Sequence, residues 1–166
     1  MKTYKLNDLN NPLISVLMPA YNAEKYIKEA IESILNQTFS NFEFIIIDDG
    51  SIDATEEIIK SFKDSRIVYI KNEKNLGLIK TLNKGISIAR GEFIARMDSD
   101  DISMPQRFEL QLDVFKKYKG VDIVNVALKK MSEDGTKLSK YRHNIYPGFE
   151  AIHYLINIDT FIVHPG

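Results

Sequence analysis

An α/β fold built on a mostly parallel sheet is predicted by three observations. Short apolar runs alternate with segments whose apolar residues recur every three or four positions. The alternation repeats through the first two thirds of the chain. Several of the apolar runs stop at acidic or turn-forming residues. At 166 residues, the chain has a single-domain length and can bury about 70% of its unfolded surface.

The elements follow in order. Residues 1–12 are a polar lead-in ending at Pro12. Residues 14–18 are β-branched and apolar and stop at Pro19, which predicts a strand. Ile27, Ala30, Ile31, Ile34 and Leu35 place one stripe on a helix over 24–36, with Asn22 as its N-cap. Residues 44–47 have no polar alternation and run into Asp48-Asp49-Gly50, the pattern of a central strand buried on both faces. Asp53 and Glu56 have capping-box spacing, ahead of a helix facing inward through Ile58, Ile59 and Phe62.

Residues 67–70 form a third strand. A third helix has a stripe of Leu78, Ile79, Leu82 and Ile86 and ends near Gly91. Residues 93–97 are a fourth strand, stopping at Asp98-Ser99-Asp100-Asp101. Ser103 and Gln106 repeat the capping-box spacing, with Pro105 tolerated in the first turn and Phe108, Leu112 and Phe115 inward. Helices should therefore cover both faces of the sheet. Residues 121–126 are a fifth strand. The pair Asp134-Gly135 predicts a hairpin between 128–131 and 136–141, and 150–156 a short helix. The organisation expected is a lead-in over 1–12, a ligand-binding core over 13–126, and the start of a second region over 127–166 that continues in a longer protein.

Composition removes several function classes. The chain has 22 Lys+Arg against 23 Asp+Glu, so no bulk positive charge favours nucleic acid as a partner. Cysteine is absent, which excludes disulfides, thiolate metal sites and thiol catalysis. No apolar run reaches membrane-span length, and the first residues lack the apolar core of a signal peptide. A cytoplasmic location is the default expectation.

Chemistry is expected where strands leave the carboxyl edge of such a sheet. Three segments do so: Pro19-Ala20-Tyr21-Asn22, Asp48-Asp49-Gly50-Ser51 and Asp98-Ser99-Asp100-Asp101. The rim would gather Asp48, Asp49, Asp98, Asp100 and Asp101, whose charges must raise one another's pKa or attract a cation. Asp98 and Asp100, one residue apart in an extended segment, can face one ligand, and their hard oxygens suit Mg²⁺ or Mn²⁺ beside substrate phosphates. Asp53 reads best as an N-cap and Asp48 as a turn cap, leaving Asp49 as the better ligand contact. Tyr21 reads equally as a packed aromatic or as a stacking partner for a base. Lys71, Lys74, Lys80 and Lys84 read as solvated surface, and only Lys80 as a phosphate candidate. His143, His153 and His164 have no metal-ligand spacing. No dinucleotide or P-loop glycine signature is present.

These segments resemble family 2 glycosyltransferases of the GT-A fold. The likeness is carried by residues 14–22 (ISVLMPAYN), 30–39 (AIESILNQTF), 42–51 (FEFIIIDDGS), 75–85 (NLGLIKTLNKG) and 91–107 (GEFIARMDSDDISMPQR), with a weaker echo at 161–165. The resemblance implies inverting transfer of a sugar from a nucleotide-diphosphate donor, commonly a UDP-sugar, to an acceptor hydroxyl. It implies that Pro19, Ala20 and Tyr21 line a nucleoside pocket, that Asp49 contacts the base, that Asp98 and Ser99 face the donor, and that Asp98 and Asp100 serve Mn²⁺ or Mg²⁺.

The resemblance further implies bacterial surface-polysaccharide synthesis, with a saccharide or lipid-linked saccharide acceptor and peripheral work at the inner membrane face. Two departures stand out. Leu82 occupies a position where many members have Arg, with Lys80 as its replacement. No general base is recognisable either, since Glu150 and Asp159 lie in no familiar context. A donor-binding portion with weak or no transfer activity is therefore expected. The competing readings are a non-catalytic nucleotide-sugar-binding module, a metal-dependent nucleotidyltransferase and a phosphorylatable receiver domain. The second should carry a basic Gly-rich loop that residues 18–25 lack.

Overall fold

The computed structural model describes residues 11–126 in full, together with the strand backbones at 129–131, 138–140 and 161–163. The order is β1 (Ile14–Ala20), α1 (Ile27–Leu35), β2 (Phe42–Asp48), α2 (Thr55–Ser61), β3 (Ile67–Lys71), α3 (Leu78–Ile88), β4 (Phe93–Arg96) and α4 (Arg107–Lys117). Then come β5 (Ile123–Asn125), β6 (Lys129–Met131), β7 (Leu138–Lys140) and β8 (Phe161–Val163). A six-stranded sheet runs β3-β2-β1-β4-β8-β5. The first four of these are parallel, and β8 is antiparallel to both β4 and β5.

Every residue of β2 is buried, Glu43 and Asp48 included, and its apolar run 44–47 is covered on both faces. One face packs Val16, Met18, Phe44 and Ile46 against α1, α2 and α4 through Ile31, Ile59, Phe108 and Leu112. The opposite face, with Leu17, Ile45 and Ile47, meets Leu82 of α3 and Ala89. Helices thus lie on both faces, in unequal number. After β3 the chain returns across the sheet to place β4 on the far side of β1, so strand order reverses between β1 and β4.

The structure corrects several expected boundaries. β1 continues through Pro19 to Ala20. On the β4 side its ladder bonds run from Phe93 to Leu13 and from Met97 to Leu17, whereas Ala20 bonds to Asp49 on the β2 side. Strand alternation therefore turns the missing N–H of Pro19 toward the side where β4 has already ended, so no ladder bond is lost.

Asn22 does not cap α1, which starts five residues later. It takes a positive φ of 49°, tolerable for Asn, and its Oδ1 accepts from Ile52 N at 3.0 Å. Neither capping box closes. Asp53 does accept from Thr55 N, but Glu56 pairs with Lys60 and Lys71 instead of reaching back.

α3 turns Thr81 and Gly85 inward, with Leu82 half-buried, while Leu78, Ile79 and Ile86 are exposed. The cause is close approach. A Cβ on Gly85 would meet Ile47 Cδ1 at 3.1 Å and Leu17 Cδ2 at 3.3 Å, so the small residues face the sheet.

The predicted hairpin is present as β6 paired antiparallel to β7. Strand β8 was not anticipated, although Phe161-Ile162-Val163 is the short apolar run that could have signalled it. The lead-in over 1–10, the hairpin turn, the 150–156 helix, the three histidines, Glu150 and Asp159 lie outside the described residues. No helix among the described residues is long and apolar enough to cross a membrane.

Candidate functional site

The reversal of strand order opens a cleft of about 420 Å³ at the carboxyl edge. Pro19, Ala20 and Tyr21 enter it from the end of β1, Asp49 from the end of β2, and Arg96, Asp98, Ser99 and Asp100 from β4 and its exit loop. Asn75, Gly77, Leu78 and Thr81 complete the lining from the start of α3. Tyr21 is half exposed, so its ring is available to a ligand.

The two carboxylates that end β2 have separate tasks. Asp48 is fully buried and does not line the cleft. Its Oδ1 accepts from Ser51 N at 2.8 Å and its Oδ2 from the Tyr69 hydroxyl at 3.3 Å, closing the turn. Asp49 faces the cleft and also holds the loop that leads to α3. It accepts from Asn72 Nδ2 at 2.7 Å, Leu76 N at 2.9 Å and Gly77 N at 2.9 Å. Burial pushes its carboxyl up, but hydrogen bonds from Asn72, Leu76, Thr81 and Gly77 outweigh that and hold it below the usual aspartate value.

Asp98 is clasped by Arg96, whose Nη2 lies 2.9 Å from Oδ1 and 3.0 Å from Oδ2. Behind this pair sits buried Arg107, donating to Arg96 O at 2.8 Å. Burial pulls the Arg107 guanidinium down to about 10, against the opposing fields of Asp101 and Asp98. Asp100 is exposed and has no protein partner among the described residues.

The expected acidic rim is thus smaller than five residues. Asp48 is spent on its turn, Asp101 lies outside the lining, and Asp49 is stabilised as an anion instead of being raised by its neighbours. Among the described residues no group of three or more His, Asp or Glu side chains is placed to hold a metal by itself. Lys80 is exposed on α3 and is not among the lining residues. Lys84, read as solvated surface, instead donates from Nζ to Asn72 Oδ1 at 2.7 Å. Sequence reasoning gave no site role to Asn75, Gly77, Thr81 or Arg96, and read Leu78 only as part of a helix stripe. Their signal was positional: Arg96 precedes the acidic exit of a strand, and the others open the helix after one.

A parallel sheet with helices on both faces and an acidic cleft at its strand reversal is the architecture of GT-A glycosyltransferases. The structure of S. aureus TarS residues 1–349 in complex with UDP-GlcNAc matches with a TM-score of 0.62 and 31% identity, over 66% of this chain and 32% of that one. The chain belongs to glycosyltransferase family 2, whose profile, described as glycosyl transferase family 2, matches residues 15–166.

An uncharacterized glycosyltransferase of Methanocaldococcus jannaschii is 40% identical over 165 residues, covering 97% of this chain and 57% of the relative. The Escherichia coli UDP-Glc:alpha-D-GlcNAc-diphosphoundecaprenol beta-1,3-glucosyltransferase is 37% identical over 123 residues, covering 70% of this chain and 49% of the relative. The chain spans about half the length of these curated relatives.

Proposed function

We propose that this chain binds a nucleotide-diphosphate sugar, a UDP-sugar first among them, for inverting transfer to an acceptor hydroxyl in bacterial cell-surface polysaccharide synthesis. Residues 13–126 form the donor-binding portion and 127–166 begin the acceptor-binding region. The observation that carries the reading is the cleft itself. Three carboxylates and one guanidinium line it, so it is net negative, and a diphosphate can enter only with a compensating cation.

The donor set fits Mn²⁺ or Mg²⁺. Asp100 is an exposed hard-oxygen ligand with no protein partner among the described residues, Asp98 stands two residues before it, and no third group completes a cage made by the protein alone. That is the pattern expected when substrate phosphates supply the remaining ligands. When bound, such an ion offsets the charge that develops on the departing nucleoside diphosphate.

The chain's own residues hold and orient the donor. Tyr21, with Pro19 and Ala20, forms the nucleoside wall, and Asp49 accepts from the base. Asp98, held in place by Arg96, and Ser99 face the ribose and diphosphate. The nucleotide in the TarS complex and the UDP-Glc donor in the name of the E. coli relative support UDP over other nucleotides. That relative's diphosphoundecaprenol acceptor supports a lipid-linked saccharide, brought to the chain at the cytoplasmic face of a membrane.

Calorimetric titration of UDP tests the reading, with Mn²⁺ present and then chelated, on the wild-type chain and on Asp100→Ala. Binding should require the metal, and the substitution should weaken it by more than about tenfold. Equal affinity with and without metal, or with and without Asp100, would overturn the metal assignment. Absence of nucleotide binding in the full-length protein would overturn the donor reading.

A further inference from the structure

A line of polar groups leads from the surface of α3 to the cleft and has no task in the reading above. Lys84 Nζ donates to Asn72 Oδ1 at 2.7 Å, and Asn72 Nδ2 donates to Asp49 Oδ1 at 2.7 Å and to Thr81 Oγ1 at 3.4 Å. Asn72 and Thr81 are buried, and Asn72 N is itself fixed to Asp48 O at 2.8 Å. Lys84 lies outside the cleft lining.

The two ends of an Asn side chain have nearly the same shape but opposite hydrogen-bonding character. An ammonium can only donate, so Lys84 compels Asn72 to present its oxygen to the lysine and its NH₂ to Asp49. With Thr81 Oγ1 accepting from Asn72, the Thr81 hydroxyl proton is free to join the donors around Asp49. Remove the ammonium and Asn72 Oδ1 becomes a buried acceptor without its donor, and the amide is aimed from the Asp49 end alone.

We propose that Lys84 is a positioning residue for nucleobase selection. Acting through Asn72, it keeps Asp49 a fixed anionic acceptor in the cleft. An acceptor of that kind favours a base that offers a ring N–H, as uracil does, over one that offers a ring nitrogen lone pair, as cytosine does. The inference rests on the nucleotide-donor reading.

The test compares UDP and CDP binding to the full-length protein by calorimetry with Mn²⁺ present, for the wild type, Lys84→Met and Lys84→Arg. Lys84→Met should weaken UDP about tenfold, the equivalent of one charge-assisted hydrogen bond. CDP binding should change far less, so that the UDP-to-CDP ratio contracts, and Lys84→Arg should restore most of it. Should Lys84→Met fail to fold, Lys84→Gln, which loses the charge but keeps an N–H donor, should contract the ratio in the same direction by a smaller factor. Unchanged UDP binding, or UDP and CDP falling together, would overturn the inference while leaving the donor reading intact. A wild type that binds neither nucleotide removes the donor reading and this inference with it.

Discussion

Gly91 stands where the chain has no room for a side chain. A Cβ there would lie 2.4 Å from Ser15 N and 2.7 Å from Ile14 C, and neither backbone atom can rotate away. The approach is close because Gly91 N donates to Ser15 Oγ at 2.8 Å, and the same hydroxyl donates to buried Glu43 at 2.6 Å. Glu43 also takes the N–H and guanidinium of Arg90, so one carboxylate fastens the link between α3 and β4 onto β1. Gly91→Ala should therefore cost about 3 kcal/mol. Thermal unfolding would register it as a fall in Tm of about 10 °C. A Tm within a degree of wild type would show that the link can move aside. At this scale the place of a residue in the cleft was legible where it follows a strand, as Tyr21, Asp49 and Asp100 do. A role was illegible where it depends on a partner far along the chain: Lys84 reads as surface, and only its approach to Asn72 gives it work.

The start of α4 shows what local pattern can and cannot fix in an element. Spacing picked out Ser103 and Gln106 as a capping box, yet the helix begins at Arg107 without a side-chain bond from its own cap residue. Gln37, just past the end of α1, does the work from 71 residues away. Its Oε1 accepts from Phe108 N at 3.3 Å, and its Nε2 donates to Met104 O at 2.8 Å and to Ser103 Oγ at 3.1 Å. Both ends of a buried amide are thus spent on joining two helices, and the Asp98–Asp101 exit loop leads directly into the second of them. Gln37→Leu should destabilise the chain by about 2 kcal/mol, because it strands a buried N–H and a part-buried carbonyl. Ser103→Ala, which keeps the Gln37 bonds to Phe108 and Met104, should cost less than about 1 kcal/mol. Urea unfolding midpoints of the two variants decide the matter, and the reverse ranking would restore the local cap. The element types were legible from periodicity because burial dictates them. The ends were not, because tertiary partners compete with local caps.

At the scale of the whole molecule, four carboxylates among the described residues are bound to the fold in one consistent sense. Glu56, between Lys60 and Lys71, is held down at about 2 by hydrogen bonds from those two lysines. Asp64 lies below its usual value because Arg66 donates to both of its oxygens, at 3.0 and 2.7 Å. At Asp49 and Asp53 burial pushes upward, and the hydrogen bonds they accept outweigh it. All four therefore ionise more readily in the folded chain than in the unfolded one, whose aspartates and glutamates titrate near 3.8 and 4.5. Between those values and about 2 the unfolded state binds more protons, so acid favours unfolding. Stability should be fully present at pH 5 and above and fall as the pH drops through roughly 4.5 to 2. Urea midpoints measured at half-unit steps from pH 7 to pH 2.5 check this, and Asp64→Asn should make the acid limb shallower. A midpoint that held steady down to pH 3 would mean that these carboxylates are equally well paired in the unfolded chain. Asp49 links this profile to the cleft. The hydrogen bonds that keep it ionised also fix the loop carrying Asn75, Gly77 and Leu78, so acid that protonates Asp49 should loosen the cleft wall and the fold together.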